Sequence, residues 1–278
     1  MSFLVLLLVV ALLLVEKIFD VLHWVQRDDW WLNLQQRVEY RNGVWGSLLW
    51  LVGLPLLVVG LLLWQLEIVA YGWLLVPVHL VILLYSLGRN DVGARLGAFC
   101  EAWNRGDEEA AYLAARRDLN LEGGNERQLF ERVQTYLLWQ SYQSFFAVVF
   151  WYVLLGPLAA LAYRLLDFIE QQGRSAALRE QAAQLRHAFD WLSARVLALT
   201  FAIVGNLATF KRVLAPRLLD WEVPADRLLL RVGLFSVAPV DTVQGEQGTD
   251  RLDDLWALLV RSGLFWYACL GLWAILGF

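Results

Sequence analysis

Apolar and polar positions fall in long alternating blocks along this chain. SFLVLLLVVALLLV runs from Ser2 to Val15 without a charge, and Ser47 to Tyr85 is apolar almost throughout, broken by Gln65-Leu66-Glu67. Three further apolar blocks follow: Gln140 to Tyr163, Trp191 to about Phe210, and Leu255 to Phe278. A hydrocarbon core about 30 Å thick takes roughly 20 mostly apolar residues per helix. With no water at that depth, the backbone must satisfy itself internally. The blocks therefore predict an all-α fold, a polytopic integral membrane helical bundle of about four to six transmembrane helices with a cytoplasmic helical insertion.

The segments follow from the same pattern. Residues 1–24 form a first transmembrane helix, and 47–85 a transmembrane helical hairpin whose tip is the Gln65-Leu66-Glu67 break. Residues 86–138 form a cytoplasmic helical region, in which GARLGAFCEAWNRGDEEAAYLAARRDL reads as two amphipathic helices joined at Asn104 to Asp107. Asp107 is suited to cap the second, with Glu108 and Glu109 at its positive end. Transmembrane helices are expected over 140–163, kinked at Gly156-Pro157 and ended by Arg164, and over 191–210, with Arg195 snorkelling from near its start. Residues 211–254 form a cytoplasmic loop carrying the amphipathic stretch RLLLRVGLF, which suits a membrane surface. Residues 255–278 close the chain as a C-terminal transmembrane helix.

Composition narrows the function classes. Hydrophobic residues make up 59% of the chain, and many of the 15 Trp flank apolar blocks, as interfacial aromatic belts do. Membrane lipid is therefore a partner. A formal net charge of −4 offers no dominant basic face, so nucleic acid is not one. Cys100 and Cys269 form neither a disulfide framework nor a metal pattern. No Lys or Arg precedes the first apolar block and Glu16-Lys17 follows it directly, which fits a retained helix better than a cleaved signal. Lys and Arg concentrate in the loops after the first, third and fifth spans. Only Arg164, Arg174, Arg179 and Arg186 fall in the remaining connector. The basic loops are expected in the cytoplasm of a multi-pass protein.

Several residues could carry chemistry. Glu16, Asp20 and His23 stand at i, i+4 and i+7, on one face of a helix leaving the first span. Two carboxylates and an imidazole could hold a metal, magnesium by preference; the same residues also suit a plain helix end meeting water. Arg89, Asp91 and Arg95 follow the third span and could meet an anionic headgroup or phosphate, or simply snorkel and cap. Arg164 and Asp167 at i, i+3, and Arg186 and Asp190 at i, i+4, read as two local ion pairs. His79, near Pro77 inside an apolar block, is expected to bond a carbonyl freed by the proline. Small-residue faces permit a homo-oligomer. No phosphate loop, nucleophile elbow or zinc helix is present in the sequence.

Four stretches together resemble the AmpE family, a branch of the CobD/CbiB-like membrane proteins. They are the apolar start ending in an acidic residue, RLGAFCEAWNRGDEEAAYLAARRDL, FFAVVFWYVLLGPLAALAYRLLD and DWLSARVLALTFAIVG. The resemblance implies an inner-membrane sensor or accessory protein in cell-wall recycling and β-lactamase induction. It would be non-enzymatic, with AmpD or a cell-wall-derived small molecule as partner and a bacterial inner (cytoplasmic) membrane location. Polar surfaces for such a ligand would be lined by Glu16, Asp20, Arg89, Asp91, Arg95, Arg164 and Asp167. CobD/CbiB proteins are ATP-dependent synthases acting on a corrinoid carboxylate, so the alternative is a membrane enzyme on that scaffold, using ATP or magnesium on an amphiphilic substrate. Departures weigh against it: Thr135, Trp139 and Gln140 stand where the synthases carry acidic and Asn residues. Asp167-Phe168-Ile169-Glu170 replaces their NTLD, and the VAPVDTVQGEQGTD loop replaces a late Pro-Asn-Ala-Gly-Trp-Pro motif.

Overall fold

The computed structural model describes residues 43–69, 75–87, 92–121, 124–206, 215, 220–237 and 246–276, and the described residues are helical with no strand among them. Helix α1 (Val44–Leu48) passes through a π-helical turn, Leu49–Gly53, into α2 (Leu54–Val69), and α3 spans Leu75–Ser86. Then come α4 (Val92–Asn104), α5 (Glu108–Asp118) and α6 (Glu126–Ser141), and a second π-helical turn, Tyr142–Phe146, leads into α7 (Ala147–Leu155). The remaining helices are α8 (Pro157–Gln172), α9 (Ala176–Val204), α10 (Ala225–Ser236) and α11 (Glu246–Leu276).

Among the described residues, three stretches are long and apolar enough to cross a membrane: Val44–Glu67, Ala176–Val204 and Gly248–Trp273. Leu57, Val58, Leu61, Leu62 and Trp64 of α2 are all exposed, and Leu264, Leu272 and Trp273 of α11 likewise. An apolar surface of that extent on a helix fits lipid rather than water as its surroundings. The protein is a helical membrane bundle.

The chain divides into two compact units. Unit 1 holds residues up to Gly88, Ala147–Asp190 and Cys269–Phe278; unit 2 holds Arg89–Phe146 and Trp191–Ala268. In unit 1, α8 packs on α3, α2 and α7. Its core joins Leu48, Leu51 and Ile82 to Leu161, Leu165, Leu166, Phe168 and Ile169 of α8, and to Leu178 and Ala182 of α9. In unit 2, α4 packs on α5, and α10 packs on α6. A stack of Phe99, Trp103 and Phe130 has centroid spacings of 5.2 and 5.1 Å.

Several helix limits differ from those read from sequence. Gln65-Leu66-Glu67 does not end a helix: α2 runs through it to Val69, since Gln, Leu and Glu are all good helix formers. The helix expected over 140–163 is divided at Gly156, whose φ of 86° suits glycine and few other residues, and Pro157 opens α8 at its first turn. Gly156-Pro157 is thus a helix boundary rather than a kink, and Arg164 lies inside α8 rather than at a span's end. The helix expected from Trp191 begins at Ala176. Asp107 does cap α5, accepting the Ala110 N–H at 2.9 Å, after a turn in which Gly106 takes φ 70°. The segment 1–24 lies outside the described residues.

Candidate functional site

The most unusual feature of unit 1 is a cluster of charges within its apolar core. Helix α8 places Arg164, Asp167, Glu170 and Gln171 on successive turns of one face. The α8 to α9 turn is short because Gly173 permits it: a Cβ there would stand 2.5 Å from the Ile169 carbonyl oxygen and 2.9 Å from Arg179 Cγ. The chain then returns along α9, bringing Arg186 and Asp190 to the same cluster.

Asp167 sits at the centre. Its Oδ2 accepts from Arg164 Nη1 at 2.8 Å, and its Oδ1 accepts from Gln171 Nε2 and from Arg186 Nη1, each at 2.7 Å. Arg186 Nε lies 2.9 Å from Glu170 Oε2 and 3.4 Å from Asp190 Oδ2. Tyr163, fully buried, donates its hydroxyl to Asp190 Oδ1 at 2.9 Å. Asp167, Arg186 and Asp190 are 4%, 8% and 3% exposed, which places the exchange of charge away from water. A buried ion survives only when paired and hydrogen-bonded, and each of these three is both.

Two atoms are less well served. Glu170 Oε2 accepts no hydrogen bond although Arg186 is within ion-pair distance, because the Nε–H does not point along the contact. Arg164 Nε is buried without a hydrogen-bond partner, while its guanidinium lies 4.3 Å over the Phe168 ring. Burial pushes the Glu170 carboxyl above its ordinary value; Arg186 opposes this, and the charges of Asp167 and Asp190 reinforce it. Three carboxylates face two guanidiniums, so full ionisation leaves one excess negative charge, and a proton on Glu170, whose carboxyl burial raises, would remove it.

Of the residues singled out in the sequence, Arg164 and Asp167 meet here. Arg95 belongs to unit 2, where it is exposed in the first turn of α4. Glu16, Asp20, His23, Arg89 and Asp91 lie outside the described residues. The two pairs read as separate are one network, since Arg186 bonds Asp167 across the hairpin as well as Asp190 on its own helix. Tyr163, Glu170, Gln171, Arg186 and Asp190 are the members that sequence reading did not assign to a site. His79 bonds the Tyr152 hydroxyl at 2.9 Å instead of a freed carbonyl. Among the described residues, no three His, Cys, Asp or Glu side chains are grouped as metal ligands. In the cluster itself, both oxygens of Asp167 are taken by Arg164, Gln171 and Arg186.

Comparison with known proteins adds the following. The family model described as "Regulatory signalling modulator protein AmpE" matches residues 1–248. Protein AmpE of Shigella flexneri is 23% identical over 241 residues, covering 81% of this chain and 83% of its own length. No solved structure matches.

Proposed function

This chain belongs to the AmpE family, and from that premise we propose that it is a non-enzymatic sensor or accessory protein of the bacterial inner membrane in cell-wall recycling and β-lactamase induction. The observation that carries the reading is an ion network of three carboxylates and two guanidiniums, buried between two helices of a chain matched to a regulatory signalling modulator family. Its carboxylates are bound to guanidiniums rather than poised as a base or nucleophile, so the cluster suits holding a conformation better than turnover. Its single excess negative charge gives a cationic group, or a proton, a reason to favour one state of the α8–α9 hairpin over another. A ligand shifts such an equilibrium only through differential affinity for the two states. A cell-wall-derived small molecule competing for Arg186 or Asp167 would supply that difference, and AmpD is the candidate protein partner.

The test is β-lactamase activity, basal and after β-lactam challenge, in a deletion strain complemented with wild type or with Asp167→Asn at matched membrane abundance. The expected result is that deletion alters induction, wild type restores it and Asp167→Asn does not. Unchanged induction in the deletion strain would remove the regulatory reading. Full restoration by Asp167→Asn would detach the network from it.

A further inference from the structure

Unit 2 carries a second polar feature, unrelated to the ion network. A surface groove of about 410 Å³ is lined by Asp220, Glu222, Val223, Pro224, Arg227, Leu228 and Arg231. Arg227 and Arg231 lie one turn apart on the exposed face of α10, whose other face buries Leu228, Leu229 and Val232. Asp220 and Glu222 precede α10, and Asp220 Oδ1 accepts the Glu222 N–H at 3.0 Å, which fixes the turn, while the Asp220 carboxylate also attracts Arg195 from behind. Glu222, Arg227 and Arg231 are exposed and form no ion pair among the described residues. The groove therefore presents two cations and two anions side by side, unneutralised by one another.

A simple anion entering this groove meets Asp220 and Glu222, and a simple cation meets Arg227 and Arg231. The complementary molecule carries both signs a few bonds apart. The surroundings place such a molecule at a membrane surface. Trp191 stands on α9, a candidate span, where the apolar run towards Val204 begins. Exposed Trp221 packs against Trp191 with centroids 5.6 Å apart. Arg195 turns back over the Trp191 ring at 4.4 Å, donates to the Trp191 carbonyl at 2.8 Å and donates to the Asp220 carbonyl. Exposed Trp221, beside the start of that apolar run, stands where tryptophans sit at headgroup depth, and the buried Arg195 ties the Asp220 backbone to the same helix. Exposed Phe235 continues the line of Arg227 and Arg231 along α10.

We propose that this groove binds the phosphoethanolamine headgroup of a membrane phospholipid, with the phosphate on Arg227 and Arg231 and the ammonium on Asp220 and Glu222. The ammonium must carry N–H donors, because a carboxylate gains charge-assisted hydrogen bonds from a primary ammonium and none from a trimethylated one. Phosphatidylglycerol offers the phosphate without the cation, and phosphatidylcholine offers the cation without the donors.

The experiment is native mass spectrometry of the full chain purified in detergent, with phosphatidylethanolamine, phosphatidylcholine and phosphatidylglycerol supplied in equal amounts. Wild type should retain phosphatidylethanolamine roughly tenfold over either competitor, the ratio expected for one added hydrogen bond to a charged group. Glu222→Gln and Arg231→Gln change exposed side chains and should leave the thermal midpoint in place; Glu222→Gln should abolish the preference, and Arg231→Gln should lower retention of all three lipids. Equal retention of the three lipids by wild type would overturn the proposal, as would a preference that survives Glu222→Gln or a retention that Arg231→Gln leaves in place. Displacement of phosphatidylethanolamine by the soluble zwitterion Ala-Ala would assign the groove to a free peptide and overturn the lipid reading.

Discussion

Unit 1 buries a cluster of ions beside Ser47 and Ser86, whereas, among the described residues, the buried polar groups of unit 2 are neutral apart from Arg195. In unit 1, Asp167, Arg186 and Asp190 share charge with Arg164 and Glu170. In unit 2, Tyr142 and Ser193 join their hydroxyls at 2.6 Å, and Trp266 donates its indole N–H to Thr200 at 2.9 Å. Ser262 returns its hydroxyl to the Leu258 carbonyl at 2.8 Å. A neutral hydrogen bond is worth about 1 kcal/mol net and changes little with its surroundings, whereas a buried ion depends on every partner it has. The first kind of contact fixes a structure; the second makes it conditional on charge.

The largest effect should come from Arg186→Met. It removes the shared counter-ion of Asp167, Glu170 and Asp190 and is expected to cost roughly 3–5 kcal/mol, read as a lowered thermal midpoint in detergent. Replacing Asp167, Arg186 and Asp190 together with apolar residues of similar volume should recover much of that loss, because an apolar core has no charge to strand. If the single substitution were tolerated without loss, the network would not be holding the hairpin.

Gly173→Ala comes next. The new Cβ would meet the Ile169 carbonyl, a backbone atom with little freedom to move, and Arg179 Cγ. A shift of the α8–α9 turn should cost about 1–3 kcal/mol. Because the turn sets which charges meet, nuclear magnetic resonance signals of the Arg186 guanidinium should move as well. A destabilised protein with an unmoved Arg186 would separate the turn from the network.

In unit 2 the counterpart is Tyr142→Phe, which deletes the hydroxyl facing Ser193 and keeps the ring on Trp139, 5.2 Å away. The expected loss is about 1 kcal/mol. A loss as large as that of Arg186→Met would abolish the distinction between the two units.

The sequence makes some of this visible and hides the rest for a physical reason. Helical spacing puts Arg164 beside Asp167 and Arg186 beside Asp190, and periodicity alone exposes both pairs. Their union depends on the chain reversing at Gly173, a tertiary event that a local pattern does not encode. A signal exists in retrospect: Tyr163 with Asp190, and Asp167 with Arg186, share one midpoint between residues 176 and 177, as partners across an antiparallel helical hairpin must. The helix limits near Gln65 and Gly156 went the other way. At Gln65 a polar triplet read as a turn is a helix that keeps its propensity, and at Gly156 a kink is a complete stop because glycine can take the positive φ that leaves the helix. The groove of unit 2 was half legible, in that RLLLRVGLF announces an amphipathic surface helix, whereas the approach of Asp220 through Arg195 depends on the fold.

The smallest effect, and the sharpest on the contrast between ionic and neutral burial, concerns Glu170→Gln. Folding raises the Glu170 carboxyl above its ordinary value of 4.5, chiefly through burial. The folded state therefore holds this proton more tightly than the unfolded state does. Its stabilising contribution is fully present below the unfolded value and is lost as pH rises through the higher folded value. Glutamine keeps the shape of the protonated acid and has nothing to lose. The stability of Glu170→Gln relative to wild type should thus improve as pH rises from the unfolded value through the raised folded value and then level off, measured by thermal unfolding of both proteins in the same detergent. A relative stability that is flat for Glu170→Gln, or that turns in wild type's favour with rising pH, would mean that Arg186 governs the ionisation of Glu170 and that the cluster is a closed ion network with no proton to exchange.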